Sequence, residues 1–164
     1  MKDRFGISDK MSLEIGKEFK GEFPLKSNVK IELFGADGKL KESREVHNTV
    51  TSAGKYGLME QVLAAPGLPT MGWMELGTGT GGTTLLNAYI SGSRTAFTSK
   101  TRTNAVVTVV GTFAAGVGTG AITEAGTFDV VTQNTVNMWM YSTFSVINKG
   151  AGDSLTITWT LTAS

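Results

Sequence analysis

The chain has no cysteine, only three prolines and a single histidine, and it nearly runs out of charge after residue 60. Each shortage excludes something. Without cysteine there are no disulfides, thiolate metal ligands or cysteine nucleophiles. With one histidine, His47, any imidazole-based triad or zinc centre would have to be built around that position. No run approaches about 18 consecutive apolar residues, so no helical membrane span is expected. The N-terminal stretch, Met1 to Lys10, has no apolar stretch of the kind that forms a secretory signal, and none is expected there. Net charge is +1 with no evident basic face, so a nucleic-acid footprint is not expected either.

The charge that exists is segregated. Residues 1–60 hold 21 of the 29 Asp, Glu, Lys and Arg residues. The remaining eight are Glu75, Arg94, Lys100, Arg102, Glu124, Asp129, Lys149 and Asp153. Residues 61–164 carry instead 28 Ser and Thr and 14 Gly. Such a segment has little acid–base equipment, but it suits strands, turns and wide uncharged contact surfaces. A hydrophobic share of 40% in 164 residues supports one domain with a real core.

Residues 1–27 read as an extended N-terminal arm, and residues 28–164 as a β-sandwich domain. The arm mixes six basic and five acidic side chains with large apolar ones. Gly6, Gly16 and Gly21 argue against a long helix. Phe5, Ile7, Leu13, Ile15, Phe19 and Phe23 are its candidate partner-binding residues, expected to lie on another protein's surface. A frayed tail is the plainer alternative.

Residues 28–47 predict a hairpin turning at Asp37-Gly38, with Val29, Ile31 and Leu33 alternating against Lys30 and Glu32. The spacing predicts one helix near 51–65, capped by Thr51 or Ser52 and stopped by Pro66-Gly67. Tyr56, Met59, Val62 and Leu63 share a face of it. From 71 onward the pattern is strands and glycine turns. Met71–Leu76, Ser93–Thr103, Ala105–Phe113, Ala121–Val131, Val136–Ile147 and Ser154–Thr162 read as strands, with a short helical turn at Thr84–Tyr89. In the last strand Leu155, Ile157, Trp159 and Leu161 face one way and the threonines the other. About seven or eight short strands read as a β-sandwich of jelly-roll-like type with one short helix.

Candidate chemistry is thin. Gly77–Gly82 looks like a phosphate loop but lacks the following Lys and has no βαβ setting. The carboxylates after residue 60 are scattered. Glu124 and Asp129 are five apart and point to opposite faces of one strand, unlike a facing catalytic pair. Arg94, Lys100 and Arg102 share parity, so an unbroken strand would put them on one solvated face or on a patch for an acidic partner. Trp73, Trp139 and Trp159 could form a sugar-stacking platform, although Trp159 lies on the apolar face of its strand. No enzymatic activity, cofactor or metal is expected.

Several stretches carry a resemblance. These are His47-Asn48-Thr49-Val50-Thr51, Glu75-Leu76-Gly77-Thr78-Gly79 and Ile122-Thr123-Glu124-Ala125-Gly126-Thr127-Phe128. Two more are Phe144-Ser145-Val146-Ile147-Asn148-Lys149 and Asp153-Ser154-Leu155-Thr156-Ile157-Thr158-Trp159. In this order, over residues 46–162, the chain resembles a group of tailed-bacteriophage virion structural proteins. The resemblance implies a non-enzymatic capsid decoration (cement) protein. It would be made in the host cytoplasm, sit on the capsid surface of the virion and bind the major capsid protein or another virion protein as a homo-oligomer, dimer or trimer. A neck, tail or fibre component is the alternative, and a carbohydrate-binding β-sandwich the second.

Overall fold

A computed structural model describes residues 24–61, 67 and 69–163. Phe5, Ile7, Leu13, Ile15, Phe19 and Phe23 lie outside these, as do Val62 and Leu63. The described residues form ten strands and one helix: β1 (Leu25–Phe34), β2 (Leu40–His47), β3 (Thr49–Val50), α1 (Ser52–Glu60), β4 (Trp73–Gly77), β5 (Thr95–Ala96), β6 (Ser99–Thr103), β7 (Val106–Phe113), β8 (Gly120–Phe128), β9 (Met138–Lys149) and β10 (Ser154–Ala163). They make two five-stranded antiparallel sheets. The first has the order β2-β1-β10-β7-β6 and the second β3-β9-β8-β4-β5. The expected β-sandwich is present. Neighbours in sequence are often neighbours in one sheet, as with β1–β2, β4–β5, β6–β7 and β8–β9.

The period of two in the sequence sets the core. β1, β10 and β7 align Val29 with Trp159 and Val109, Ile31 with Ile157 and Gly111, and Leu33 with Leu155 and Phe113. Every residue in these rows is buried. Gly111 is bare because a Cβ there would stand 2.7 Å from Met74 Sδ of the facing sheet. Trp159 is wholly buried. Its indole N–H donates to the Asn48 side chain at 2.7 Å, with that amide turned so that its NH₂ donates to Ser27 O.

The β1–β2 turn forms as its sequence dictates. Gly38 has φ +73°, and Asp37 Oδ1 accepts from Lys39 N at 3.1 Å. The strand starts earlier than the expected arm boundary. Leu25, Lys26 and Ser27 are already paired with Ala163, Thr162 and Leu161. Thr51 caps α1, accepting from Gly54 N at 3.0 Å, while its own N–H donates to Trp139 O at 3.0 Å.

Two expectations are corrected. Thr84–Tyr89 is not a helical turn but a bent loop, with Tyr89 bridged to Gly77. Ser93–Thr103 is not one strand. The chain leaves the second sheet at Phe97 and joins the first at Thr98, so parity does not hold across the break. Of the expected α1 stripe, Tyr56 and Met59 lie among the described residues, and both face away from the core. The buried residues of α1 are Gly54 and Gly57, while Tyr56 is 68% and Met59 58% exposed. A Cβ at Gly54 would lie 2.1 Å from Trp139 O, and one at Gly57 2.3 Å from Trp139 Cζ2. The helix lies so close to β9 that only glycine fits beneath it.

Trp159→Ala should therefore cost about 3–5 kcal/mol in urea unfolding, since a wholly buried ring is removed from the centre of the first sheet. A loss below about 1 kcal/mol would contradict that burial.

Candidate functional site: buried charges and an uncharged face

The few charges after residue 60 are mostly inside the protein. Glu75, Glu124, Asp129 and Asp153 are all buried, as is Lys149. The side chain of Arg94 is only 2% exposed. Burying a charge is costly unless it is paired or hydrogen-bonded, and most of these groups have specific structural partners.

Glu124 projects from β8 to the face of the second sheet opposite the main core. Its Oε1 accepts from Ala88 N at 2.8 Å and Gly79 N at 3.2 Å. Its Oε2 accepts from Tyr141 Oη at 2.9 Å and Asn87 N at 3.2 Å. The neighbouring Thr123 hydroxyl donates to Gly79 O at 2.8 Å. Gly77–Gly82 is thus a loop folded around a carboxylate, not a phosphate cradle. A Cβ at Gly77 would lie 2.5 Å from Glu124 Oε1 and one at Gly79 2.9 Å from it. Burial pushes the Tyr141 hydroxyl above its ordinary pKa. The Glu124 carboxylate adds to this and the Gly82 backbone opposes it.

A second tie uses Glu75 of β4. Its Oε2 accepts from Arg94 Nη2 at 2.7 Å, and its Oε1 accepts from Gln133 Nε2 at 2.5 Å. Arg94 Nη1 donates to Val130 O and Thr132 O, and its guanidinium lies 3.6 Å from the Phe128 ring centroid. Gln133 also bonds Ile90 O and Gly92 N. Two loops, 78–94 and 129–137, are thereby fastened across the second sheet. They enclose a small second core of Leu86, Phe128, Met138 and Tyr141, with Trp73 against it.

The remaining candidates fall elsewhere. Lys100 and Arg102 are exposed on the edge strand β6, where Lys100 Nζ donates to Met71 O. Without Arg94 they form no patch of three. His47 is exposed at the end of β2 and its backbone carbonyl accepts from Ser142 Oγ. Trp139 is buried, and its indole N–H has no partner among the described residues. With Trp159 in the core and Trp73 half-buried, the three indoles do not assemble a sugar-stacking platform. Glu124 and Asp129 are not a facing pair. Asp129 is buried with neither oxygen hydrogen-bonded among the described residues. No group of three or more His, Cys, Asp or Glu among the described residues could hold a metal ion.

With those charges inside, the outer face of the first sheet is a field of hydroxyl and methyl groups. The register sets Asn28, Thr160, Thr108 and Thr101 side by side, then Lys30, Thr158, Val110 and Ser99, then Glu32, Thr156 and Thr112. Charge enters only on the β1–β2 side. Away from the β1–β2 side its chemistry is that of threonine methyls and hydroxyls. The sequence indicated β10's alternation but not its alignment with β6 and β7.

No protein-family model, curated protein or solved structure matches the chain. Among the described residues no helix is long and apolar enough to cross a membrane.

Two predictions test the buried charges. Glu124→Gln should destabilise the fold by about 3 kcal/mol, because several buried donors lose an ionic acceptor. It should also speed hydrogen exchange at the Gly79, Asn87 and Ala88 amides. Unchanged exchange there would show that the loop is held by other contacts. Asp153 accepts from Lys41 Nζ at 2.9 Å and from Gly150 N at 2.9 Å. Lys41 first, then the Gly150 N–H, holds its pKa below the ordinary aspartate value. Its contribution is therefore complete above that ordinary value and is lost as pH falls through the lower folded-state value. Urea midpoints measured down through the acid range should fall less steeply for Asp153→Asn than for the parent chain.

Proposed function

We propose that this chain is a non-enzymatic structural protein of a tailed-bacteriophage virion, acting as a capsid decoration protein. It binds the assembled head and bridges neighbouring capsid subunits. The observation that carries the reading is the disposition of charge. Most ionisable groups of the strand-rich part are spent on internal ties, and the broad face of the first sheet is left to hydroxyls and methyls. A protein built this way acts by contact. Many identical copies with modest interfaces hold a shell firmly through multivalency. The resemblance over residues 46–162 points the same way. The apolar residues Phe5, Ile7, Leu13, Ile15, Phe19 and Phe23 supply a second contact element, directed to the major capsid protein or another virion protein.

Contacts added after assembly stabilise a shell without being needed to build it. Particles lacking the protein should therefore assemble, yet release DNA at lower temperature or under milder osmotic stress. Purified protein added back should restore resistance. Replacing Phe5, Ile7, Leu13 and Phe19 with Ser should weaken that rescue while the sandwich stays folded. Robust DNA-filled heads without tails, or complete particles that fail to adsorb, would overturn the capsid reading in favour of a neck or fibre role.

A further inference from the structure

The inward side of β1 loses its cover toward the start of the strand. Leu25, Ser27, Val29, Ile31 and Leu33 share that side by the period of two. Val29, Ile31 and Leu33 are buried, whereas Leu25 and Ser27 are only half-buried. Beside these two lies a groove of about 600 Å³ between β1 and α1, with Leu25, Val50, Leu58 and Met59 as its apolar lining.

The polar side chains of the groove are largely engaged within the protein. The Asn48 amide, turned as described above, accepts from Trp159 Nε1 at 2.7 Å and donates to Ser27 O at 2.9 Å. Ser27 Oγ donates to Met140 Sδ at 3.9 Å. Lys55 is the one charged lining residue and is exposed to water. The groove therefore suits an apolar group, and one seated there would keep water from the hydrogen bond of the central Trp159.

The chain itself enters at this groove. Leu25 is part of its lining, and Phe23-Pro24 comes directly before. Proline steers the residue that precedes it away from helical backbone and into the extended region. Side chains alternate along extended backbone, so Phe23 falls on the side of Leu25 and Ser27. Two residues span at most about 7 Å. A ring tethered so closely has a high effective concentration at the groove, and a side chain from any other molecule would have to displace it.

We propose that the groove between β1 and α1 is the seat of this chain's own Phe23, whose ring closes the sandwich over the Asn48–Trp159 hydrogen bond and fixes the root of the N-terminal segment. The inference goes beyond the virion reading and does not rest on it. It assigns Phe23 to the chain's own sandwich and leaves Phe5, Ile7, Leu13, Ile15 and Phe19 to contacts with a partner.

The chain has no cysteine, so introduced thiols test the contact in the full protein. Phe23→Cys is paired in turn with Val50→Cys and Met59→Cys under mild oxidation. One of the two pairs should close an intramolecular disulfide, which needs Cα atoms within about 7 Å. Glu22→Cys, on an almost equal tether but the opposite side, should close about tenfold more slowly. In the otherwise unaltered chain, Phe23→Ser should speed exchange of the Trp159 indole N–H about tenfold, read by NMR, with circular dichroism verifying the fold. Phe23→Leu, which keeps an apolar group in place, should stay near the parental rate. Failure of both pairs to close overturns the proposal. So does equal closure from Glu22→Cys, which would mark a free tether, or a disulfide formed only between two molecules, which would assign the groove to a second copy. Indole exchange unaltered in Phe23→Ser overturns it as well. Because every readout is on the chain in solution, a failed particle rescue would count against the virion reading alone.

Discussion

The second sheet depends on one buried carboxylate. Glu124 sits on β8, the strand between β9 and β4, and gathers three loop amides and a tyrosine hydroxyl around itself. Removing an ionised carboxylate from water is expensive, and only a full set of donors offsets the cost. That requirement dictates the local sequence. The loop must come within van der Waals distance of the carboxylate, so Gly77 and Gly79 have no side chains. Gly126, two residues along β8, is bare for the same reason on the apolar side. A Cβ there would meet Met138 Sδ at 2.6 Å. The glycine-rich character of this region is thus close packing around polar and apolar centres, not looseness.

The Glu75–Arg94 pair repeats the arrangement at the neighbouring loop, and the two ties together give the second sheet a covered outer face. Among the described residues the first sheet has no such cover. Its outer face keeps the threonines that strand propensity favours and exposes them. The sandwich is therefore asymmetric. One sheet is covered by loops tied down with charge, and among the described residues the other presents a half-buried face of hydroxyls and methyls. The asymmetry of charge along the chain becomes, in three dimensions, a division between inside and outside.

Much of this was legible in the sequence where a local period or turn decides the outcome. β10 alternates without interruption and is fully paired on both sides. Asp37-Gly38 fixes the first hairpin, and Thr51 starts the helix. What could not be read was anything set by long-range approach. Arg94 shares parity with Lys100 and Arg102, yet the chain changes sheets at Phe97–Thr98 and Arg94 turns inward to a carboxylate nineteen positions earlier. The spacing set Tyr56 and Met59 on one face of α1 but did not say which way that face points, because hydrophobicity alone does not reveal that a glycine face packs closer than a tyrosine face. The signal was present in Gly54 and Gly57, three apart on one side of a short helix. Isolated charges in a hydroxyl-rich segment were likewise a sign of buried ties, since a solvated surface rarely carries so few.

The reversed helix links the fold to its surfaces. Glycine at the core side costs helix propensity of about 1 kcal/mol per residue relative to alanine, and here two are spent on bringing the backbone against Trp139. The gain is rigid seating. With its backbone fixed on β9 and its cap bonded to Met138 O and Trp139 O, α1 has little freedom to rotate. Its outward side chains are then presented at fixed positions, as a contact surface requires if little ordering entropy is to be lost on association. The same logic applies to the threonine face, where strand pairing on both sides fixes each hydroxyl. Both exposed surfaces rest on parts of the backbone held by buried contacts, and neither relies on a loop. Immobility is thus built from the core outward, and the exposed side chains of both surfaces are held at fixed positions by it.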